Sequence, residues 1–138
     1  MLHSFGNFYY ETSNYIFTHG FIPIAGIYNP FYNENCKYKE DWRNSTSDQF
    51  KEARWFNGME MSIKYNIGEP NKKIVIGHFH ASYGNVRKKL GRGLSKEKYK
   101  EYEFSDLDFF KPYVDDNIIA IDSCVALTKI INILVIED

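Results

Sequence analysis

Three short apolar runs in this chain each stop at a residue capable of chemistry, and that recurrence constrains the fold more than any other feature. Asn14-Tyr15-Ile16-Phe17-Thr18 is rich in aromatic and β-branched residues and runs into His19 and Gly20. Lys73-Ile74-Val75-Ile76 runs into Gly77-His78-Phe79-His80, and Asn117-Ile118-Ile119-Ala120-Ile121 runs into Asp122. Runs of this length and composition read as strands. Their near-continuous apolar character suits strands covered on both faces. In open α/β sheets, ligands bind beyond the carboxyl ends of the strands. The runs therefore predict one sheet edge that carries three histidines and an aspartate. A fourth run, Lys129 to Ile136, reads as a further strand.

Between these runs the sequence predicts a helix over Ser47 to Asn57. Ser45, Thr46, Ser47 and Asp48 offer N-caps, Phe50 and Ala53 follow at helical spacing, and Gly58 is the expected stop. Ser95 to Glu103 predicts a short solvated helix. Segments 21–40 and 84–116 are polar, contain Pro30 and Pro112, and are otherwise expected to be long loops.

The chain has 138 residues, enough for one domain and too few for two. Its 17 basic and 18 acidic residues leave a formal charge of -1, which gives no bulk attraction to nucleic acid or to an anionic membrane. No apolar stretch approaches the roughly 20 residues needed to span a bilayer. Met1 to Gly6 lacks the basic start and apolar run of a signal peptide. Cys36 and Cys124 are far apart and form no CxxC, a pattern expected of a reduced cytoplasmic protein.

The histidines carry the chemical argument. In an extended chain residues i and i+2 project to the same side, so His78 and His80 are expected to reach one small volume. Gly77 is expected to clear space where backbone and ligand come close. Neutral imidazole is a ligand for zinc, iron and manganese. His19 has a matching setting, after its own strand and before Gly20, whereas His3 has none. The alternative for the His-x-His pair is two loop histidines without a ligand.

Ile16-Phe17-Thr18-His19-Gly20 followed by Ile76-Gly77-His78-Phe79-His80 resembles the last two metal motifs of the calcineurin-like metallophosphoesterases. Ile119-Ala120-Ile121-Asp122-Ser123 and Asn132 to Asp138 resemble the closing strands of the same proteins. The likeness is greatest to the branch with serine/threonine protein phosphatases and diadenosine-tetraphosphate hydrolases. Asp41-Trp42 and Ala53 to Gly58 are similar to a segment between the two motifs. The resemblance spans about Asn14 to Asp138. It implies an α/β fold: the carboxyl-terminal half of a two-sheet sandwich flanked by helices, with residues 1–138 forming one partial domain. It also implies that His19 and His78 bind one divalent metal ion and His80 a second. The pair is manganese, iron or zinc in the family, and an activated hydroxide attacks phosphorus in line.

The family's earlier motifs, Asp-x-His, Gly-Asp-x-x-Asp and Gly-Asn-His, do not occur in this sequence. Gly6-Asn7-Phe8 and Gly84-Asn85-Val86 start like the last of these but lack its histidine. Three histidines without carboxylates lack the negative charge to hold two dications close together. The expectation is a metal-dependent phosphoesterase portion that is inactive alone. The alternatives are half of a split enzyme completed by another chain, or a non-catalytic binding module on the same fold. The expected partners are a phosphorylated small molecule or phosphoprotein, and an amino-terminal half or a second copy of the chain.

Two further features have paired readings. Arg54 and Trp55 form either a substrate-facing wall, with Arg54 binding phosphate, or an ordinary helix face that packs Trp55 and solvates Arg54. The basic segment Arg87 to Gly93 either steers anions or is a solvated loop. Asp122 either supplies a carboxylate ligand from its strand end or, as the resemblance implies, has a structural or supporting role.

Overall fold

The computed structural model describes residues 8–28 and 35–137. His3, Gly6, Asn7, Pro30 and Asp138 lie outside them. Five strands form one mixed sheet: β1 (Tyr9–Glu11), β2 (Tyr15–Thr18), β3 (Lys73–Ile76), β4 (Tyr113–Val114) and β5 (Ile118–Ala120), in the order β1-β2-β3-β5-β4. The central strands β2, β3 and β5 are parallel, and β1 and β4 pair antiparallel at the edges. The three apolar runs are therefore neighbours and share one direction.

Their register explains the core. Ile16 stands opposite Ile74, and Ile74 opposite Ile118, so three fully buried isoleucines form a row across the sheet. Each such side chain contributes about 1.5–3 kcal/mol by leaving water. Trp42, Met59, Met61 and Ile22 join them in the same cluster. Val75 and Ile119, which point to the other face, are also buried. This matches the continuous apolar character of β3 and β5.

Among the described residues, five α-helices accompany the sheet: α1 (Ser47–Ala53), α2 (Gly58–Tyr65), α3 (Ser82–Leu90), α4 (Lys96–Tyr102) and α5 (Val125–Thr128). The predicted α/β class holds. The helix expected over Ser47 to Asn57 forms as α1 but stops at Ala53, and a second helix, α2, begins just beyond the expected range. Thr46 and Gln49 close a capping box at the start of α1, and the Asn57 side chain accepts from the backbone N–H groups of Met59 and Glu60 to start α2. Gly58 begins a helix rather than ending one. A Cβ there would lie 2.6 Å from Ile76 Cδ1, so close packing against the sheet selects the glycine.

Two other expectations are corrected. Segment 84–116 is not a long loop: it holds most of α3, all of α4, a 3-10 turn at Leu107–Phe110, and β4. The signal in α3 is hidden because small residues do its packing. Ser82 is buried, and a Cβ on Gly84 would meet the Tyr113 ring at 2.5 Å. Lys129 to Ile136 joins no ladder among the described residues. It retains the period of a strand, with Ile131, Ile133 and Val135 exposed and the residues between them partly buried. The Asn132 amide anchors it by donating to the carbonyls of Phe110 (2.7 Å) and Ile121 (3.1 Å).

Cys36 and Cys124 are buried, unbridged thiols. Among the described residues, no helix is long and apolar enough to cross a membrane.

Candidate functional site

Because β2, β3 and β5 are parallel, their carboxyl ends open on one edge, and the chain continues there into His19, His78 and Asp122. Backbone bonds tie these exits together. The Gly77 N–H donates to the His19 carbonyl (2.9 Å), Ile121 N–H to Ile76 (3.0 Å), and Ala81 N–H to Asp122 (2.7 Å). Gly20 lets α1 close over the first exit. A Cβ on it would lie 2.3 Å from the Arg54 carbonyl oxygen, and the Phe21 N–H donates to the Ala53 carbonyl at 3.0 Å. The end of α1, with Arg54 and Trp55, is thereby brought beside the histidines.

The imidazoles of His19 and His78 meet. His19 Nε2 and His78 Nδ1 are 3.1 Å apart, and the ring centres are separated by 4.8 Å. With one proton between them this is an N–H···N hydrogen bond. The spacing also suits two ligands of one cation. Nitrogens at about 2.0–2.1 Å from a shared metal lie about 2.9–3.4 Å apart for octahedral to tetrahedral angles. Burial lowers the pKa of His78 below its ordinary 6.5, and charge on His19 lowers it further, so the neutral, ligand-competent ring is favoured. Charge on Asp122 acts in the opposite sense, and Arg54 in the same sense as His19.

His80 is oriented differently. His78 has φ 66°, in the left-handed region, so Gly77 to His80 is not extended and the two-residue spacing does not align the rings. His80 Nδ1 instead faces Glu103 Oε1 at 3.1 Å. Among the described residues, no group of three or more histidine, cysteine, aspartate or glutamate side chains is arranged to hold a metal ion. The residues thus fit a pair of nitrogen ligands rather than a complete two-metal centre.

Trp55 is 62% exposed, with its ring edge-on to His78 at 5.2 Å between centres. The packing of Trp55 expected of a plain helix face therefore fails, whereas Arg54 is exposed as that reading expected; the aromatic residues that fill the core nearby are Trp42 and Phe56. The Arg54 guanidinium carbon lies 5.8 Å from the centre of the Trp55 ring. Asp122 has a local role: its Oδ1 accepts from the Cys124 N–H at 2.8 Å.

The basic segment Arg87 to Gly93 is helical as far as Leu90, turns at Gly91 to Gly93, and is not uniformly solvated. Arg87 lies in α3, is 6% exposed, and stacks 3.7 Å from the Tyr83 ring centre while donating to the Tyr83 and Leu94 carbonyls. Lys88 and Lys89 are exposed. The residue that sequence reasoning missed is Glu103. Its only trace was the predicted helix that ends on it, with nothing to link it to His80.

An open cleft of about 520 Å³ lies at the opposite edge of the sheet, lined by Asn14, Glu69, Lys72, Lys73 and Asn117 among others. Three of its charged side chains are engaged with the protein: Lys72 with Glu11, Glu69 with Arg43, and Lys73 with the Asp115 carbonyl.

No protein-family model, curated protein or solved structure matches the chain.

Proposed function

We propose that this chain supplies the histidine part of a metal-dependent phosphoesterase centre of the calcineurin-like metallophosphoesterase type, and that alone it has little or no activity. The contact between His19 Nε2 and His78 Nδ1, at the ends of adjacent parallel strands, carries the reading. His19 and His78 would hold one divalent cation of manganese, iron or zinc, and His80, which faces Glu103, would serve a second only in a centre completed by anionic ligands from elsewhere. Bound cations would supply a lowered water pKa and neutralisation of phosphate oxygens. Arg54 would receive a phosphate oxygen, and the exposed Trp55 ring would wall the site beside His78. The substrate would be a phosphorylated small molecule or phosphoprotein. Missing carboxylates account for the inactivity, since a dinuclear centre needs anionic ligands.

A split enzyme is the second reading, and the exposed row Ile131, Ile133 and Val135 favours it. A strand with one apolar face uncovered is suited to pairing with another chain.

The test is hydrolysis of p-nitrophenyl phosphate with added manganese, for the wild type and His78→Ala. The proposal expects negligible turnover in both. Robust turnover that depends on His78 would refute the inactivity, and equal turnover in both would place the chemistry elsewhere.

A further inference from the structure

α4 contains no buried residue, yet it is held against α3 by a compact set of polar and aromatic contacts. Tyr99 packs with Tyr83 at 5.7 Å between ring centres, and the Arg87 guanidinium lies 4.9 Å from the Tyr99 ring. The next contacts lead directly to the histidine loop. Glu103 Oε1, at the end of α4, accepts from the Tyr99 hydroxyl at 2.6 Å and from the Ser82 hydroxyl at 3.1 Å. The same oxygen is 3.1 Å from His80 Nδ1. The Glu103 side chain is 14% exposed and that of His80 38%, so the pair is partly screened from water.

An ionised carboxylate can only accept. The ring nitrogen that faces it must therefore carry a proton, because a lone pair there would be repelled. A neutral His80 protonated at Nδ1 has its lone pair at Nε2. Carboxylate–histidine pairs fix ring orientation and tautomer in this way and raise the basicity of the free nitrogen.

We propose that Glu103 is a positioning residue that locks His80 as the Nδ1–H tautomer and presents Nε2 as the ligand nitrogen. The inference rests on His80 as a ligand residue, and it assigns a role to α4: the helix is the arm that delivers Glu103 to the loop. Ser82 and Tyr99 hold the carboxylate in place. Their hydroxyls are also 2.9 Å apart, so Glu103 is fixed from two elements at once.

The test uses nitrogen-15-labelled, metal-free full chain at pH 8, with the His80 ring signals assigned by comparison with His80→Asn. Two-bond proton–nitrogen spectra then report which ring nitrogen is protonated. The wild type should show Nδ1 protonated. Glu103→Ala should move the proton to Nε2, and Glu103→Gln, whose amide oxygen still accepts, should retain the wild-type pattern. An Nε2–H tautomer in the wild type would overturn the proposal. So would an unchanged tautomer in folded Glu103→Ala. The wild-type spectrum decides the matter even if Glu103→Ala fails to fold. Cobalt affinity should fall about 10–100-fold in Glu103→Ala. Nδ1–H in a wild type that binds no cobalt would uphold the positioning role while refuting the metal reading of the site.

Discussion

Gly20 and Gly77 both adjoin the histidines, but a methyl group would meet different surroundings at each. At Gly20 a Cβ would be 2.3 Å from a backbone oxygen of Arg54 and 2.8 Å from that of Ala53, neither of which can swing aside. At Gly77 the nearest atom is the His19 carbonyl oxygen at 3.6 Å, an ordinary contact. The clearance expected of Gly77 is therefore not demanded by its protein neighbours, whereas that of Gly20 sets how closely α1 approaches β2. Gly20→Ala should destabilise the protein by about 1–3 kcal/mol, as overpacking does. Gly77→Ala should remain within about 1 kcal/mol of the wild type. Urea denaturation checks both, and equal losses would show that the packing argument is wrong. The His19–His78 contact follows from the same geometry, because α1, β2 and β3 are fixed where Gly20 permits.

At the scale of elements, the segment after α5 is the one in which pattern and structure part. Its residues alternate as in a strand, but β4 closes the sheet beside β5, so no free ladder position adjoins that strand. Replacing Ile131, Ile133 and Val135 together by Thr should leave the folded core intact, since all three are at least 75% exposed. It should also abolish any self-association seen by sedimentation velocity. Association that survives the triple substitution would remove this face as the contact surface. The central strands were legible in sequence because each is a short apolar or aromatic run, buried on both faces in β3 and β5 and on one face in β2. β1 and β4 were not, being edge strands of three and two residues that pair without such a run. α3 escaped notice because Gly84 and the stacked Arg87 occupy positions where a helix usually carries apolar side chains. In the site, His19 and His78 were visible from their strand exits. The turn of His80 toward Glu103 was not, because it depends on a left-handed residue and on a helix 23 residues away in sequence.

For the whole molecule, an ionic cluster joins the edge strand β1 to the segments around α1 and β3. Arg43 bridges Glu11 and Glu69, Lys72 also reaches Glu11, and Tyr38 and Trp42 donate to Glu69. The hydrogen bond from Arg43 is the main force holding the Glu11 carboxyl down from 4.5 to about 2, against a smaller opposing effect of burial. Burial raises the pKa of Glu69, but its three side-chain donors together outweigh that effect and leave it lowered. Because the folded carboxyls bind protons less readily than the unfolded ones, their contribution is present above about pH 4.5 and is lost as pH falls toward 2. Thermal unfolding across that window should show a steep fall in Tm for the wild type and a shallower one for Glu11→Gln; parallel curves would exclude Glu11 as the source. This cluster braces the sheet edge opposite the exits of β2 and β3, and the exits themselves are proposed to bind a cation. Cobalt titration of the intact, folded chain, followed by visible absorption, tests it most directly. A cobalt–imidazole spectrum is expected, weakened at least about tenfold in apparent affinity by His78→Asn, a side chain that tolerates the left-handed backbone. Identical binding by the wild type and His78→Asn, or no binding by either, would contradict it.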